Sequence, residues 1–333
     1  MTEAGPVGSE EAIVQGFLAP LARGFAGALG LTDDCALVGI APGHELVVTT
    51  DSLIEGVHFF AGEMPAFKAL AVNVSDLAAK GAKPLAYLMT LALPELPTRA
   101  WLEVFAAELK RAQETFGCHL IGGDTDRTPG PLTISITALG VVPAGTMVRR
   151  STARAGDAVY VTGTIGDATL GLRLARDPAA GETWGLALDA QAFLLDRFRA
   201  PVPTLALAGA LRTYASAAID ISDGLVKDFD RLCRASGAGG QLEAPRVPLS
   251  PAARSVLGRK RVVLADLLTG GEDYEVLFTV PPARAPAMEA AAAAVNVAIA
   301  RIGRITGEAG AVIVLDEAGL PMSFPQTGWD HFA

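Results

Sequence analysis

The chain has 333 residues, half of them apolar and 19% charged, with a formal net charge of −9. Such a length implies two domains with a sizeable core, and the balance of apolar and charged residues excludes a disordered chain. An acidic total with no run of Lys and Arg argues against a nucleic-acid partner, so any phosphate chemistry points to a small molecule, with metal ions offsetting the carboxylates.

Near the N-terminus, residues 12–31 are apolar but contain Gln15, Pro20 and Arg23, and they follow the acids Glu3, Glu10 and Glu11. Neither a signal peptide nor a membrane span has those features. Ser9 is a candidate cap for a short helix that turns Ile13, Phe17 and Leu21 to one side. A β-hairpin is expected next, CALVGIA (35–41) and ELVVTTD (45–51) around Pro42 and Gly43. Phe67, Leu70, Ala71, Val74, Leu77 and Ala78 then recur at helical spacing, with Asn73, Asp76 and Lys80 on the other side and Gly81 and Pro84 as the stop.

A strand over 85–93 precedes a helix that Thr98 opens and Gly117 closes, its apolar side formed by Leu102, Phe105, Leu109 and Phe116. A short strand over 118–121 runs into Gly122-Gly123-Asp124, and a strand over 132–142 closes a first unit. The basic, aperiodic segment 143–157 marks the junction, giving domains 1–146 and 147–333. The second starts with a strand over 158–163, the loop TIGD and a helix from about Ala168. A long helical region around 185–214 leads to a strand in AAIDIS (217–222) and a helix burying Leu225, Phe229 and Leu232. Residues 267–280 read as loop then strand, followed by an alanine-rich helix near 283–295 and strands near 299–305 and 311–316. Alternating helices and strands make the fold class α/β, or α+β with mixed sheets.

The acids carry the functional signal. Asp33-Asp34 precede a strand, Asp51 ends one after Thr49-Thr50, and Asp76 lies on the polar side of a helix. Asp124 and Asp220 end strands, Ser222-Asp223-Gly224 opens a helix, and Glu272-Asp273 follow two glycines. In α/β sheets ligands gather beyond the carboxyl ends of strands, so several of these acids can share one edge. Two carboxylates ~4 Å apart repel by about 4 kcal/mol at an effective dielectric near 20, so such a gathering needs cations. Oxygen donors of this kind select magnesium or calcium, and glycine beside an acid lets a phosphate reach backbone N–H groups. Taken singly, each acid fits a turn or helix cap at least as well, Asp33, Asp126 and Asp273 above all. His58 alone fits a packed or surface histidine, and Trp329 alone fits a core plug.

Several familiar sites are excluded. There is no GxxxxGK[ST], no kinase HRD and DFG pair, no GxGxxG opening a helix after a strand and no GxSxG. His44, His58, His119 and His331 form no triad by spacing. Cys35, Cys118 and Cys233 are far apart and odd in number, which suits a reducing cytoplasm and no zinc site.

As an ordered set, DDCAL (33–37), TTDSLIEGVHF (49–59), KALAVNVSDLAAKGAKP (68–84), LIGGDT (120–125), AGDAVYVTGTIGD (155–167), AIDISDGLVKD (218–228), GGEDYE (270–275) and GWDHF (328–332) resemble the thiamine-monophosphate kinase family. The resemblance runs from about residue 30 to the end. VNVSDLAAKGAKP and IGGDT are shared with the wider superfamily of aminoimidazole ribonucleotide synthetase, selenophosphate synthetase and a hydrogenase maturation factor. EGVHF, GGEDYE and GWDHF are closer to the thiamine enzymes. One departure is Thr32, where the family usually has glycine before the Asp pair.

The resemblance implies a two-domain aminoimidazole ribonucleotide synthetase-like architecture and a homodimer through the N-terminal sheets. It implies ATP-dependent conversion of thiamine monophosphate to thiamine diphosphate by direct in-line transfer with several Mg2+ ions. It also implies magnesium ligands at Asp34, Thr49, Thr50, Asp51, Asp76, Asp124, Asp220 and Asp223, among which Asp51, Asp124 and Asp223 are catalytic. ATP contacts are implied at Gly123, Asp124, Arg150 and Ser222, and thiamine monophosphate contacts at His58, Glu272 and Trp329. Three rivals stay open at this stage: a sister enzyme that activates an amide or selenide, a metal-dependent phosphatase or nuclease, and a non-catalytic nucleotide-binding protein.

Overall fold

The computed structural model describes residues 7–332. It comprises two compact units: one runs through Leu77 and resumes over Ala82–Gly145, and the other takes Ala78–Gly81 and the chain from Thr146 onward.

In the first unit, helices α1 (Glu10–Ile13) and α2 (Ala19–Ala22) flank a π-helical stretch, Val14–Leu18. Ser9 caps α1 by accepting from Ala12 N–H, and Ile13, Phe17 and Leu21 are buried as their spacing requires. A four-stranded sheet has the order β1-β4-β2-β3, from β1 (His44–Ile54), β2 (Lys83–Leu93), β3 (His119–Arg127) and β4 (Thr133–Pro143). The β2–β3 pair is parallel and the other two pairs are antiparallel. Two helices, α3 (Ala66–Ala79) and α4 (Arg99–Phe116), meet through the Phe67 and Phe116 rings, 5.3 Å apart. As the sequence requires, Thr98 caps α4 by accepting from Trp101 N–H, and Gly117 ends it in the left-handed region at φ +64°.

Two expectations are corrected here. Residues 35–41 form no strand: β1 is the edge of its sheet and pairs with β4, from His44↔Pro143 to Ile54↔Thr133, and not with this segment. Ala36 and Val38 still turn inward onto Ala22, Ala28, Ala86 and Ile121 while Leu37 faces out, which is why the segment alternates like a strand. Asp124 does not end β3 but lies within it, opposite Thr90.

A six-stranded sheet of order β10-β7-β9-β5-β8-β6 forms the second unit, parallel only between β10 and β7. Its strands are β5 (Ala158–Thr162), β6 (Ala217–Asp220), β7 (Gly239–Glu243), β8 (Val276–Val280), β9 (Ile299–Thr306) and β10 (Val312–Leu315). β5, β6 and β8 are buried at every position, the pattern of strands covered on both faces. The helix expected from about Ala168 is α5 (Asp167–Arg176), a short α6 (Ala180–Thr183) follows it, and the long helical region around 185–214 divides into α7 (Leu188–Arg199) and α8 (Ala208–Tyr214). Pro201 and Pro203 fall in the break after α7. α9 (Leu225–Ala235) buries Leu225, Phe229 and Leu232 as its periodicity requires.

Four elements went unexpected: α6, β7, α10 (Pro251–Gly258) and α11 (Leu264–Thr269). β7 reads GGQLE, whose glycines give no hydrophobic alternation. A side chain at Gly240 would strike the Phe229 ring at 2.2 Å, and one at Gly303 would strike Gln241 O at 2.1 Å, so close packing explains these glycines. α12 (Ala285–Ala294) completes the chain of helices. Among the described residues no helix is long and apolar enough to cross a membrane.

Candidate active site

The first unit gathers its acids into two sets. On one face of the sheet, the Thr49 hydroxyl donates to the Asp76 carboxylate, and Asn73, one turn earlier on α3, accepts from Asp51 N–H at 2.9 Å. Asn73 is fully buried and is itself held by the Ala69 carbonyl at 3.0 Å, so β1 is locked to α3 at this point. Asp51 is exposed beside this anchor. Thr50 points the other way, donating to the Ile136 carbonyl at 3.1 Å and accepting from the Thr137 hydroxyl at 3.1 Å. Strand alternation thus separates the Thr50 hydroxyl from Thr49 and Asp51.

The second set is Asp34 with Asp124. Both line a cavity of about 440 Å³, together with Asp33, Gly122, Gly123 and Thr125. Asp33 accepts from Cys35 N–H at 3.4 Å, as a turn residue does. Asp51 stands opposite Ile136, Ile136 opposite Met89 and Met89 opposite Gly123, whereas Asp124 stands opposite Thr90. In-register partners share a face, so Asp124 leaves the sheet on the face opposite Asp51. The Asp124 charge raises the carboxyl of exposed Asp126 above its ordinary value. Gly123 is required by its own strand: at φ +147° a side chain there would lie 1.8 Å from Met89 O.

The loop after β1 fixes His58. Its Nδ1 accepts from Ile54 N–H at 3.0 Å, which leaves the proton of the neutral ring on Nε2. Its carbonyl takes 2.9 Å from the ammonium of Lys68, only 2% exposed. The sequence places Asn73 on the polar side of this helix and Lys68 at the head of the block 68–84 without giving either a role; both are buried.

In the second unit the assigned residues come together. Ile221–Asp223, just after β6, is clasped on one side by the loop before β8: Glu272 N–H donates to Ser222 O at 2.8 Å and Tyr274 N–H to Ile221 O at 2.8 Å. On the other side Trp329 N–H donates to Asp223 O at 2.9 Å, and Gly328 fits only because it has no side chain to meet Lys227 and Asp223. Trp329 is 48% exposed, so it is no core plug. Asp220, 8% exposed, ends β6 directly before this segment.

Asp228 was not assigned by the sequence, yet it sets this segment's geometry. It is 1% exposed and accepts from both Ser222 N–H (3.0 Å) and Asp223 N–H (2.9 Å), while Arg231 donates to its other oxygen at 2.8 Å. Burial raises its carboxyl, and the Asp223 N–H and Arg231 oppose the rise. Arg231 also pairs with Asp223 at 2.6 Å, with Lys227 at 3.3 Å on the same carboxylate. An acid in the first helical turn after Ser-Asp-Gly was the available signal. Arg150 is exposed, and its carbonyl accepts from Ser236 at 3.1 Å.

Within neither unit do three His, Cys, Asp or Glu side chains of the described residues close into a cation cage. Cys35 also lines the cavity of Asp34 and Asp124, but the assigned donors are carboxylate and hydroxyl oxygens, and that chemistry fits magnesium.

Comparison with known proteins defines the class first. The N-terminal domain of AIR synthase related protein matches residues 32–142, and the C-terminal domain matches residues 154–316. The thiamine-monophosphate kinase of Caulobacter vibrioides is 40% identical over 323 residues, covering 94% of this chain and 88% of that protein. The crystal structure of thiamine-monophosphate kinase from Stenotrophomonas maltophilia K279a superposes with a TM-score of 0.82 at 36% identity, covering 94% and 98% of the two chains. AaThiL complexed with AMPPCP and TMP gives 0.75 at 32% identity over 90% and 91%. The chain belongs to the thiamine-monophosphate kinase family.

Proposed function

We propose that this chain transfers the γ-phosphoryl group of ATP to thiamine monophosphate, forming thiamine diphosphate and ADP. The observation that carries the reading is 40% identity to a thiamine-monophosphate kinase over 94% of the chain. The clasped Ser222–Asp223 segment supports it, because it sets a carboxylate, a hydroxyl, Glu272 and Trp329 around one short stretch of backbone.

Asp34, Thr49, Asp51, Asp76, Asp124, Asp220 and Asp223 are the residues that would hold magnesium. When bound, magnesium neutralises the polyphosphate and draws charge off the departing ADP. The chain itself supplies alignment. Asn73 and Asp76 hold β1 so that Asp51 stands at a fixed place, and Asp228 does the same for Ser222 and Asp223. Ser222, Gly123 and Arg150 contact ATP; His58, Glu272 and Trp329 contact thiamine monophosphate, the exposed indole offering a face to an aromatic ring. The acceptor phosphate is already ionised near neutral pH, its second pKa being about 6, so no general base is assigned and the transfer is direct.

The enzyme works as a homodimer in the cytoplasm. Leu46, Val48 and Leu88 are exposed on the sheet of the first unit, an apolar surface suited to a second copy. Cys118 and Cys233 are free and buried, as in a reducing compartment.

Incubation with ATP, magnesium and thiamine monophosphate should yield thiamine diphosphate and ADP in equal amounts by chromatography. Free phosphate without thiamine diphosphate would favour a phosphatase, and unconsumed ATP a binding protein.

A further inference from the structure

Beneath the loop that carries Glu272 lies a buried polar cluster in the second unit, outside every assigned site residue. Asp273 is 1% exposed, and both its oxygens accept from Gly166 N–H, at 3.0 and 2.9 Å. Glu275 accepts from the Thr162 hydroxyl at 2.5 Å and from Arg197 at 2.7 Å. Asp167 accepts from Ser250 and Thr164, each at 2.5 Å. Arg197 is the cation facing all three carboxyls, and its Nε has no hydrogen-bond partner among the described residues. Burial raises all three carboxyls while Arg197 opposes the rise, so the network carries the cost of desolvation.

The loop above is held in an unfavourable shape. Glu272 and Tyr274 have φ of +74° and +50°, left-handed values that non-glycine residues seldom adopt, and Asp273 is the anchor between them. Gly270 and Gly271 have no room for a side chain, with Thr169 Oγ1 at 1.9 Å and Ser222 O at 2.4 Å from where Cβ would stand. Stability alone does not call for three buried acids under a strained loop, since apolar packing would serve as well. Strain that the surroundings impose fixes a direction, and here the side chain so directed is Glu272.

We propose that Asp273, braced by Arg197 and Glu275, is a positioning residue that sets Glu272 for thiamine monophosphate. The proposal rests on the reading of Glu272 as a substrate contact. Asp273 would act through Glu272 alone, so its removal affects one substrate and not the other.

A double-mutant cycle of Asp273→Asn with Glu272→Gln, followed by steady-state kinetics on both substrates, tests this. Asp273→Asn should raise KM for thiamine monophosphate about tenfold and leave KM for ATP within about twofold; in the Glu272→Gln background it should add less than about twofold. A purely structural role would shift both KM values, or the active fraction, in either background. If Asp273→Asn is not recovered folded, Arg197→Lys carries the same cycle, keeping the charge while losing the guanidinium fork. An unchanged KM for thiamine monophosphate in the folded variant, or full additivity with Glu272→Gln, overturns the proposal. If Glu272→Gln alone leaves that KM unchanged while wild type makes thiamine diphosphate, the proposal fails and the kinase reading stands. If wild type makes none, the kinase reading itself fails.

Discussion

Replacing Asp228 by Ala removes one carboxylate and with it three bonds: those from Ser222 N–H, Asp223 N–H and Arg231. A buried donor left without a partner costs about 1–3 kcal/mol. Ser222 and Asp223 are half-buried, so water can reach them in part and the lower half of that range applies to each. Arg231 keeps Asp223 at 2.6 Å and is 40% exposed, so the lost ion pair adds under about 1 kcal/mol. The total is about 3 kcal/mol. For a folding unit of this size that lowers the melting temperature by about 6–12 °C, which calorimetry resolves. Asp228→Asn keeps an oxygen for both N–H groups and should cost only about 1 kcal/mol. At a temperature where both variants are folded, Asp228→Ala should show the larger fall in kcat, because the backbone that presents Asp223 is no longer fixed. An Asp228→Ala protein within about 1 kcal/mol of wild type, or an Asn variant as unstable as the Ala one, would refute the argument.

Asp223→Asn should lower kcat by about 10²–10³-fold with the fold retained, since Arg231 still has Asp228; near-normal turnover would remove Asp223 from the machinery. Gly123→Ala should destabilise the first unit by at least about 2 kcal/mol, because the added methyl meets Met89 O and φ is +147°; urea unfolding with an unchanged midpoint would contradict this. Burial holds Asp273 protonated in the folded chain over a range where the unfolded chain ionises it. Its contribution to stability is therefore complete below the ordinary carboxylate value of about 4 and is lost as pH rises through the raised folded value. The melting temperature of wild type minus that of Asp273→Asn should fall as pH rises above the ordinary carboxylate value of about 4, and a difference that rises would reverse the sign.

Helices with a clean apolar stripe were legible from sequence, and so were their caps: Thr98 and Gly117 bound α4 as read. Residues 35–41 misled because alternation records which side chains face inward, not whether a neighbouring strand is present to complete the ladder. β7 was invisible because Gly240, like Gly303 on the neighbouring β9, is small to let other groups approach. In the site, conspicuous acids such as Asp51 and Asp223 stand out as charge in a strand or turn. The residues that hold them do not: Asn73 reads as part of a polar helix side, Lys68 as a solvated charge at a helix start, and Asp228 as one more charge beside Lys227, Asp230 and Arg231, yet all three are buried. Nor did the sequence separate Thr50 from Thr49, although a one-residue step moves its hydroxyl to the other face.

The proposed transfer from ATP to the acceptor phosphate is direct, with no phosphorylated protein between the two. A single-turnover reaction with ATP labelled at the γ-phosphorus, quenched and separated, distinguishes it from a relayed transfer. The label should pass from ATP to thiamine diphosphate with none on the protein; label on the protein, or label released as free phosphate in place of thiamine diphosphate, would contradict it.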